Sequence, residues 1–510
     1  MKHSVMGSLA AALALLAATA YPASAGSDSS GFWTSAPPML TGELPQVSVM
    51  PLITVGETLE GGYRFETIPD GIALDPRGSN TLTIYVNHET SLVPFPASAS
   101  LTDMDFSDFD NAQLSRLVLK RGNGKVLSGE IVIPSTANYQ RFCSNFFAGE
   151  AEGFEFPLVF TNEEATDLVN RTGPAWPAGV GAEQAGLVVA YNPDTDQYRS
   201  IYGMGRFNHE NSVAVPGYDQ AVIVSGDDTF SAPASQVYLY TAPDAAGVWN
   251  DTGHLYAFKA DGADNDYGDF SPGESLSGSF IPVPDSIADG NQTGLESWSN
   301  ANNVFQFIRV EDIAYDKNTP NVIYFADTGE PRALRDATTG RLRRGPSGTV
   351  GPFINGRIFK MVLDPNDPLG VLSLSVLIDG DVDGSVSNDP ALIHQPDNVE
   401  TTGSSLLLQE DPGSHNQGIV SARIWQYDLA SGDLRVVASV DQSADPAARL
   451  GTWESSGIVD VSQYFGRGAF LVTVQAHTVF VDSLVGSTVW GPTTFKREGG
   501  QLLLLRVPGA

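Results

Sequence analysis

Cysteine is nearly absent from this 510-residue chain: Cys143 is alone, so no intramolecular disulfide holds the fold together. Histidine is scarce too, and seven residues leave little material for a histidine-rich zinc centre. Basic residues are few. The 28 Lys and Arg stand against 60 Asp and Glu, for a net charge of −32, which argues against nucleic acid and anionic membrane surfaces as partners. No stretch past the N-terminus approaches the roughly 18 apolar residues that a membrane span requires. Common catalytic signatures are missing as well: there is no Gly-x-Ser-x-Gly, no His-Glu-x-x-His and no Walker-type phosphate loop.

What is present begins with an export pattern. Lys2 opens a short basic start, an Ala/Leu-rich run follows, and Ala23-x-Ala25 offers a cleavage site. Residues 1–25 therefore read as a Sec-type signal peptide, leaving 26–510 as one exported domain in the periplasm or outside the cell. The acidic balance suits bound cations, and calcium is the expected one there because it prefers hard oxygen ligands.

Helical periodicity is sparse, while 52 Gly and 32 Pro supply turns. One strand-like phrase recurs along the chain. It reads "SRLVLKRGNG" at Ser115, "GLVVAYNPDT" at Gly186 and "GHLYAFKADG" at Gly253. It returns as "GRIFKMVLDP" at Gly356, "ARIWQYDLAS" at Ala422 and "QLLLLRVPGA" at Gln501. Repeated β-rich units predict an all-β chain, a six-bladed β-propeller with long loop insertions in the third and fourth units. The last strand, near the C-terminus, is expected to complete a blade begun elsewhere and leave no open edge.

Each unit carries an acidic motif upstream of its repeated strand. In chain order these are His88-Glu89, Glu163-Glu164, His209-Glu210, Arg309-x-Glu311-Asp312, Asp397-Asn398 with Glu410-Asp411, and Glu454 with His477. The triplet Asn-His-Glu occurs twice, at Asn87–Glu89 and Asn208–Glu210, each time against an apolar run where charge is costly unless paired or metal-bound. In a propeller such motifs converge on one axis, and clustered carboxylates must then protonate or bind cations. A segment with Asp379, Asp381, Asp383 and Gly384 separately resembles an oxygen-rich calcium loop, and "DGADNDYGD" (261–269) is a weaker acidic loop.

The order of "NHE", a cysteine followed by "NEE", "GRFNHE", "SGDD", "GHLYAFKADG", "RVED", "PDN" and "VQAH" resembles the PhoX family of secreted bacterial alkaline phosphatases. That resemblance spans about Tyr85 to His477 and implies a six-bladed propeller holding iron (Fe3+) and calcium (Ca2+) in its channel. By the same resemblance Cys143 matches the iron-binding cysteine, Glu163 and Glu164 the Glu pair that follows it, and Glu210 a further ligand. Arg309 and Glu311 match an Arg-x-Glu pair serving phosphate and metal, with His209 counted among the catalytic residues. Glu89, Asp397 and Glu454 fall to calcium or to supporting roles.

The implied activity is hydrolysis of a small phosphate monoester. Clustered cations would polarise the phosphoryl group, and the planar fork of Arg309 would clamp its oxygens. Two other readings stay open: a calcium-dependent propeller hydrolase of another class, such as a lactonase, and a non-catalytic calcium-binding propeller. No oligomeric state is assigned.

Overall fold

The computed structural model describes residues 31–94, 106–229, 235–262, 265–382, 389–413, 418–488 and 491–510. The expected signal peptide lies outside them. Among the described residues no helix is long and apolar enough to cross a membrane.

The chain is all-β in character, built from antiparallel sheets with a few short helices. Many strands are buried along their whole length, including Leu158–Glu163, Val188–Asn192 and Val322–Asp327. Their neighbours cover both faces, so they read as continuous apolar runs and not as alternation. The core fills the layers between sheets. Phe307 meets the rings of Phe325 and Phe359 at centroid distances of 5.3 Å each.

The strands nearest the centre are β1 (Pro69–Asp75), β2 (Phe142–Ala148), β3 (His209–Ala214), β4 (Val310–Tyr315), β5 (Pro396–Thr401) and β6 (Glu454–Asp460). Each heads a sheet that runs outward through strands consecutive in sequence or nearly so. Consecutive inner strands pack side by side, and β6 packs back against β1, so they close on themselves in a propeller-like arrangement. Close approach needs glycine at two of these contacts. A Cβ on Gly71 would lie 2.6 Å from the Asn145 nitrogen, and one on Gly457 would lie 2.2 Å from the Asp70 carbonyl oxygen.

The ends of the chain meet in the sheet headed by β6. Ser48–Thr54 pairs antiparallel with Gly491–Arg506, placing Met50 opposite Leu504. The C-terminal strand is thus covered by an N-terminal one and is not an open edge.

One repeat assignment needs correction. In the sheet headed by β3 the strand two places out is Val237–Ala242, and "GHLYAFKADG" supplies the next one, His254–Ala260. That strand resembles an interior one because it is interior: Leu276–Pro282 covers its far side and joins this sheet to the one headed by β4, giving nine strands in all. Burial on both sides imposes the same apolar pattern wherever a strand stands in the sheet.

Candidate metal centre

The same local construction recurs at one end of the channel. In β1 to β5 the second residue is Asp70, Cys143, Glu210, Glu311 and Asp397. A register shift follows the first residue of each of these strands, with three residues spanning two of the partner strand. Such bulges re-aim side chains, which is how a position within a strand comes to serve a site. Three of the strands are entered through residues with left-handed backbone, Ile68, Arg141 and Gln395, at φ of 44°, 42° and 50°. For β-branched Ile68 this conformation is strained.

A second position is set by a hydrogen bond that repeats five times. The residue after each second strand donates its N–H to the carbonyl of the residue before the inner strand. The pairs are Glu89 to Ile68 (3.0 Å), Glu164 to Arg141 (2.9 Å), Asp228 to Asn208 (2.9 Å), Thr328 to Arg309 (2.9 Å) and Asp411 to Gln395 (3.0 Å). Four of these five residues are acidic, so a further set of carboxylates is delivered beside the bulges.

Together the two positions build three overlapping ligand groups. Cys143, Glu164 and Glu210 form one; Glu210, Glu311 and Asp397 a second; Asp397, Asp411 and Glu454 a third. Within each group the donor atoms lie within 4.8 Å of one another, and Glu210 and Asp397 are shared. Cys143 Sγ lies 3.1 Å from Glu210 Oε1 and 3.2 Å from Asp70 Oδ2. Ser144 donates its hydroxyl to Glu210 Oε1 at 2.8 Å. Asp70 also accepts hydrogen bonds from Ser456 and, at 3.2 Å, from Gln475.

The electrostatics of this cluster call for cations. Burial, then the surrounding carboxylates, pushes Glu164, Glu210, Asp397 and Glu454 well above the usual carboxyl range. Glu311 is raised in the same way, with Arg309 opposing the shift, and Glu89 rises to about 8. The Cys143 thiol is pushed up by burial and by Asp70 and Glu210. Glu210 Oε2 is buried and has no hydrogen-bond partner among the described residues. An unpartnered buried carboxylate oxygen amid thiol and carboxylate donors fits metal ligation, with hard oxygens for calcium and a thiolate for a softer ion.

Most residues singled out in the sequence converge here: Cys143, Glu164, Glu210, Glu311, Asp397 and Glu454 are in the ligand groups. Glu89 stands at the edge, accepting from Gln475 Nε2 at 3.3 Å. Arg309 grips Asp228 with two bonds of 2.6 Å and reaches Glu311 Oε1 at 3.0 Å.

Two residues are placed elsewhere. Glu163 is fully buried, and both its oxygens are held by Arg171 at 2.8 and 2.9 Å. It also accepts from the Gln140 nitrogen at 2.8 Å, as Asp327 accepts from Ile308 and Glu410 from His394 at the same place in their sheets. These acids tie down the turn into the inner strand, and Glu163 is a tether of that kind, outside the three ligand groups. His209 stacks on Phe207 at 3.6 Å and bonds the Gly205 carbonyl through Nε2 at 3.2 Å. Burial lowers its pKa to about 3, and its Nδ1 is buried with no hydrogen-bond partner among the described residues. The first Asn-His-Glu differs again: His88 ends a second strand, where Nε2 meets Ser115 Oγ at 2.7 Å.

Asp411, from the acidic motif Glu410-Asp411, joins the third ligand group, and Asp70 and Asp228, which lie outside those motifs, stand against Cys143 and Arg309. A signal was available, since Pro69-Asp70-Gly71 has the form of Pro396-Asp397-Asn398 and Asp227-Asp228 that of Glu410-Asp411. In the suspected calcium loop, Asp381 accepts from the Asn355 nitrogen and the Tyr267 hydroxyl at 2.7 Å each, and Asp379 pairs with Arg357. Asp383 and Gly384 lie outside the described residues. In the 261–269 loop, Asp266 is bound by Arg335 at 2.6 Å, and residues 263–264 lie outside the described residues.

Fold and cluster together define an all-β, propeller-like protein with a thiol–carboxylate centre at one end of its channel. Among solved structures, Pseudomonas fluorescens PhoX in complex with vanadate, a transition state analogue, aligns at a TM-score of 0.60 and 16% identity, over 91% of this chain and 96% of that one. The chain has a PhoX-like fold. A nidogen/laminin complex aligns at a TM-score of 0.25 and 10% identity (64% of this chain, 90% of that one), and the polysaccharide lyase Uly1 at 0.31 and 10% (86% and 77%). No family model and no curated protein matches the sequence.

Proposed function

We propose that this chain is an exported, metal-dependent phosphatase of PhoX-like, six-bladed propeller architecture that hydrolyses small phosphate monoesters at the channel centre. The observation that carries this reading is the run of three ligand groups sharing Glu210 and Asp397, with Arg309 against Glu311 at its side. Calcium suits the Asp397–Asp411–Glu454 end, where every donor is oxygen, and iron suits the Cys143 end. When bound, such cations would neutralise the carboxylates and polarise the phosphoryl group of a substrate.

The chain's own residues supply position and charge. Asp228 orients the Arg309 guanidinium through a two-pronged contact and keeps it charged. Arg309 is therefore the group we assign to phosphate oxygens, with Glu311 shared between it and the metal. Glu164, Glu210, Glu311, Asp397, Asp411 and Glu454 are assigned to metal, and Cys143 to iron. Glu89 and Asp70 surround them.

A calcium-binding propeller without phosphatase activity is the second reading, favoured by the engagement of Arg309 with Asp228. Metal analysis of protein from the exported fraction, with a p-nitrophenyl phosphate assay on the same sample, separates the two. Iron with calcium, and turnover lost on chelation, is the expected result. Calcium alone without turnover would leave the second reading.

A further inference from the structure

Two polar residues stand directly behind ligands of the metal centre and touch each other across the channel. Ser144 follows Cys143 in β2, and Asn398 follows Asp397 in β5. Asn398 Nδ2 donates to Ser144 Oγ at 3.2 Å. β2 and β5 are not neighbours in the ring of inner strands, so this bond spans the channel. The bulges make it possible. Cys143 and Ser144 together oppose Asn162, and Asp397 and Asn398 together oppose Gln409. Consecutive side chains of a regular strand point to opposite faces, whereas a bulge re-aims them and lets a ligand and its successor serve one centre.

Ser144 is anchored, and its proton has one destination. The Ser144 carbonyl accepts from Asn87 Nδ2 at 3.2 Å and from Asn162 Nδ2 at 2.9 Å. Asn87, the first residue of the earlier Asn-His-Glu triplet, also donates to the Cys143 carbonyl. These bonds fix the backbone that carries both side chains. A hydroxyl has one proton to give, and an amide nitrogen can only donate. With Asn398 donating to Oγ, the Ser144 proton goes to Glu210 Oε1 at 2.8 Å. Cys143 Sγ meets the same oxygen at 3.1 Å, but as a metal-bound thiolate it would have no proton to give, leaving Ser144 as the donor. Glu210 is the carboxylate shared by the first two ligand groups, and its other oxygen, Oε2, is buried without a hydrogen-bond partner among the described residues. Ser144, Asn398 and Glu210 are all buried, so bulk water does not compete for these bonds.

We propose that Ser144, oriented by Asn398, is a positioning residue for the metal centre, holding the Glu210 carboxylate by Oε1 and leaving Oε2 to the cations. Ser144 acts through Glu210, and Asn398 acts through Ser144, so the two work in series. Without this anchor the carboxylate would have to be ordered as a cation arrives, and that cost would be taken from the affinity. The proposal rests on the metal-centre reading above and is independent of whether the centre hydrolyses phosphate esters.

The test is the calcium affinity of the full-length protein, read by competition with EGTA from the calcium-loaded state, with circular dichroism on each variant. Ser144→Ala should weaken binding by about tenfold, and Ser144→Thr, which keeps the hydroxyl, should stay within about threefold of the parent. Asn398→Ala should weaken binding too. The double variant should bind no more weakly than Ser144→Ala alone, because Asn398 has no effect except through the hydroxyl. Ser144→Ala with affinity within about twofold of the parent would overturn the proposal. So would a Ser144→Thr variant as weak as Ser144→Ala, or a double variant in which the separate losses add, since a pair that merely supports the fold behaves in that way. A parent that binds no calcium would instead remove the metal-centre reading, and this proposal with it.

Discussion

Cys143 Sγ lies 3.1 Å from Glu210 Oε1 although 67 residues separate the two in sequence. The contact exists because both are the second residue of an inner strand and both stand at a bulge. A thiol beside buried carboxylates stays protonated unless a cation compensates, so this pair marks the softer end of the cluster. Cys143→Ser should lower iron affinity by at least about tenfold while leaving calcium content and the far-ultraviolet spectrum unchanged. Mass-spectrometric metal content with circular dichroism checks it. Retention of full iron would remove Cys143 from the centre.

Glu163 and Glu164 are adjacent and should behave as opposites. Glu163→Gln breaks the two-pronged contact with Arg171 and weakens the tether at Gln140, at a cost of about 2–4 kcal/mol of stability. Metal binding per folded molecule should survive. Glu164→Gln should leave metal-free stability within about 1 kcal/mol of the parent, or raise it, and reduce metal affinity. Denaturant titrations of the metal-free proteins and metal titrations of the folded ones compare the two directly.

Gly71 allows β1 to approach β2. A methyl group there would meet the Asn145 nitrogen and Ser144 Cα at 2.6 Å and the Cys143 oxygen at 2.8 Å, all backbone atoms that yield little. Gly71→Ala should destabilise by about 1–3 kcal/mol. It should also weaken metal binding, because the displaced segment carries Cys143. A variant with parental metal affinity would show that the bulge absorbs the change.

Glu296, on the short helix Gln292–Ala301, is 7% exposed, and burial alone raises its carboxyl to about 8. The folded protein therefore holds a proton that the unfolded chain gives up near the ordinary value of 4.5. Stability should fall as pH rises from about 4.5 through 8, because the unfolded state binds fewer protons across that window. Glu296→Gln should flatten this slope and be more stable than the parent at pH 9, by on the order of a few kcal/mol. Melting temperatures of both proteins from pH 5 to 9 decide the matter. Parallel curves would remove Glu296 as the source.

The acidic motifs were legible as a class and ambiguous as individuals. Second strands end in doublets such as Glu163-Glu164, Asp227-Asp228 and Glu410-Asp411, and the sequence alone offers no means of dividing the roles. The structure divides them by position: Glu163 and Glu410 tie the turn into the inner strand, Asp227 accepts from the Thr229 nitrogen, and the second member of each doublet donates its N–H to the residue before the inner strand. The two Asn-His-Glu triplets show the same limit. One closes a second strand and the other opens an inner strand, so identical letters have different surroundings. The third repeated phrase stands one strand further out than the others for a related reason, since a strand covered on both sides looks the same wherever it stands in its sheet.

Composition and local pattern determined by themselves that this would be an all-β chain without disulfide support, rich in carboxylates and furnished with one thiol. Turn residues, apolar runs and charge are properties of neighbours along the chain, and a sequence displays them. Which carboxylates share a cation, and which are consumed by Arg171, Arg309 or Arg423, was decided only by tertiary structure. Burial and Coulomb interaction depend on distance in space, and at this centre the partners that set each charge come from strands scattered from residue 69 to residue 460.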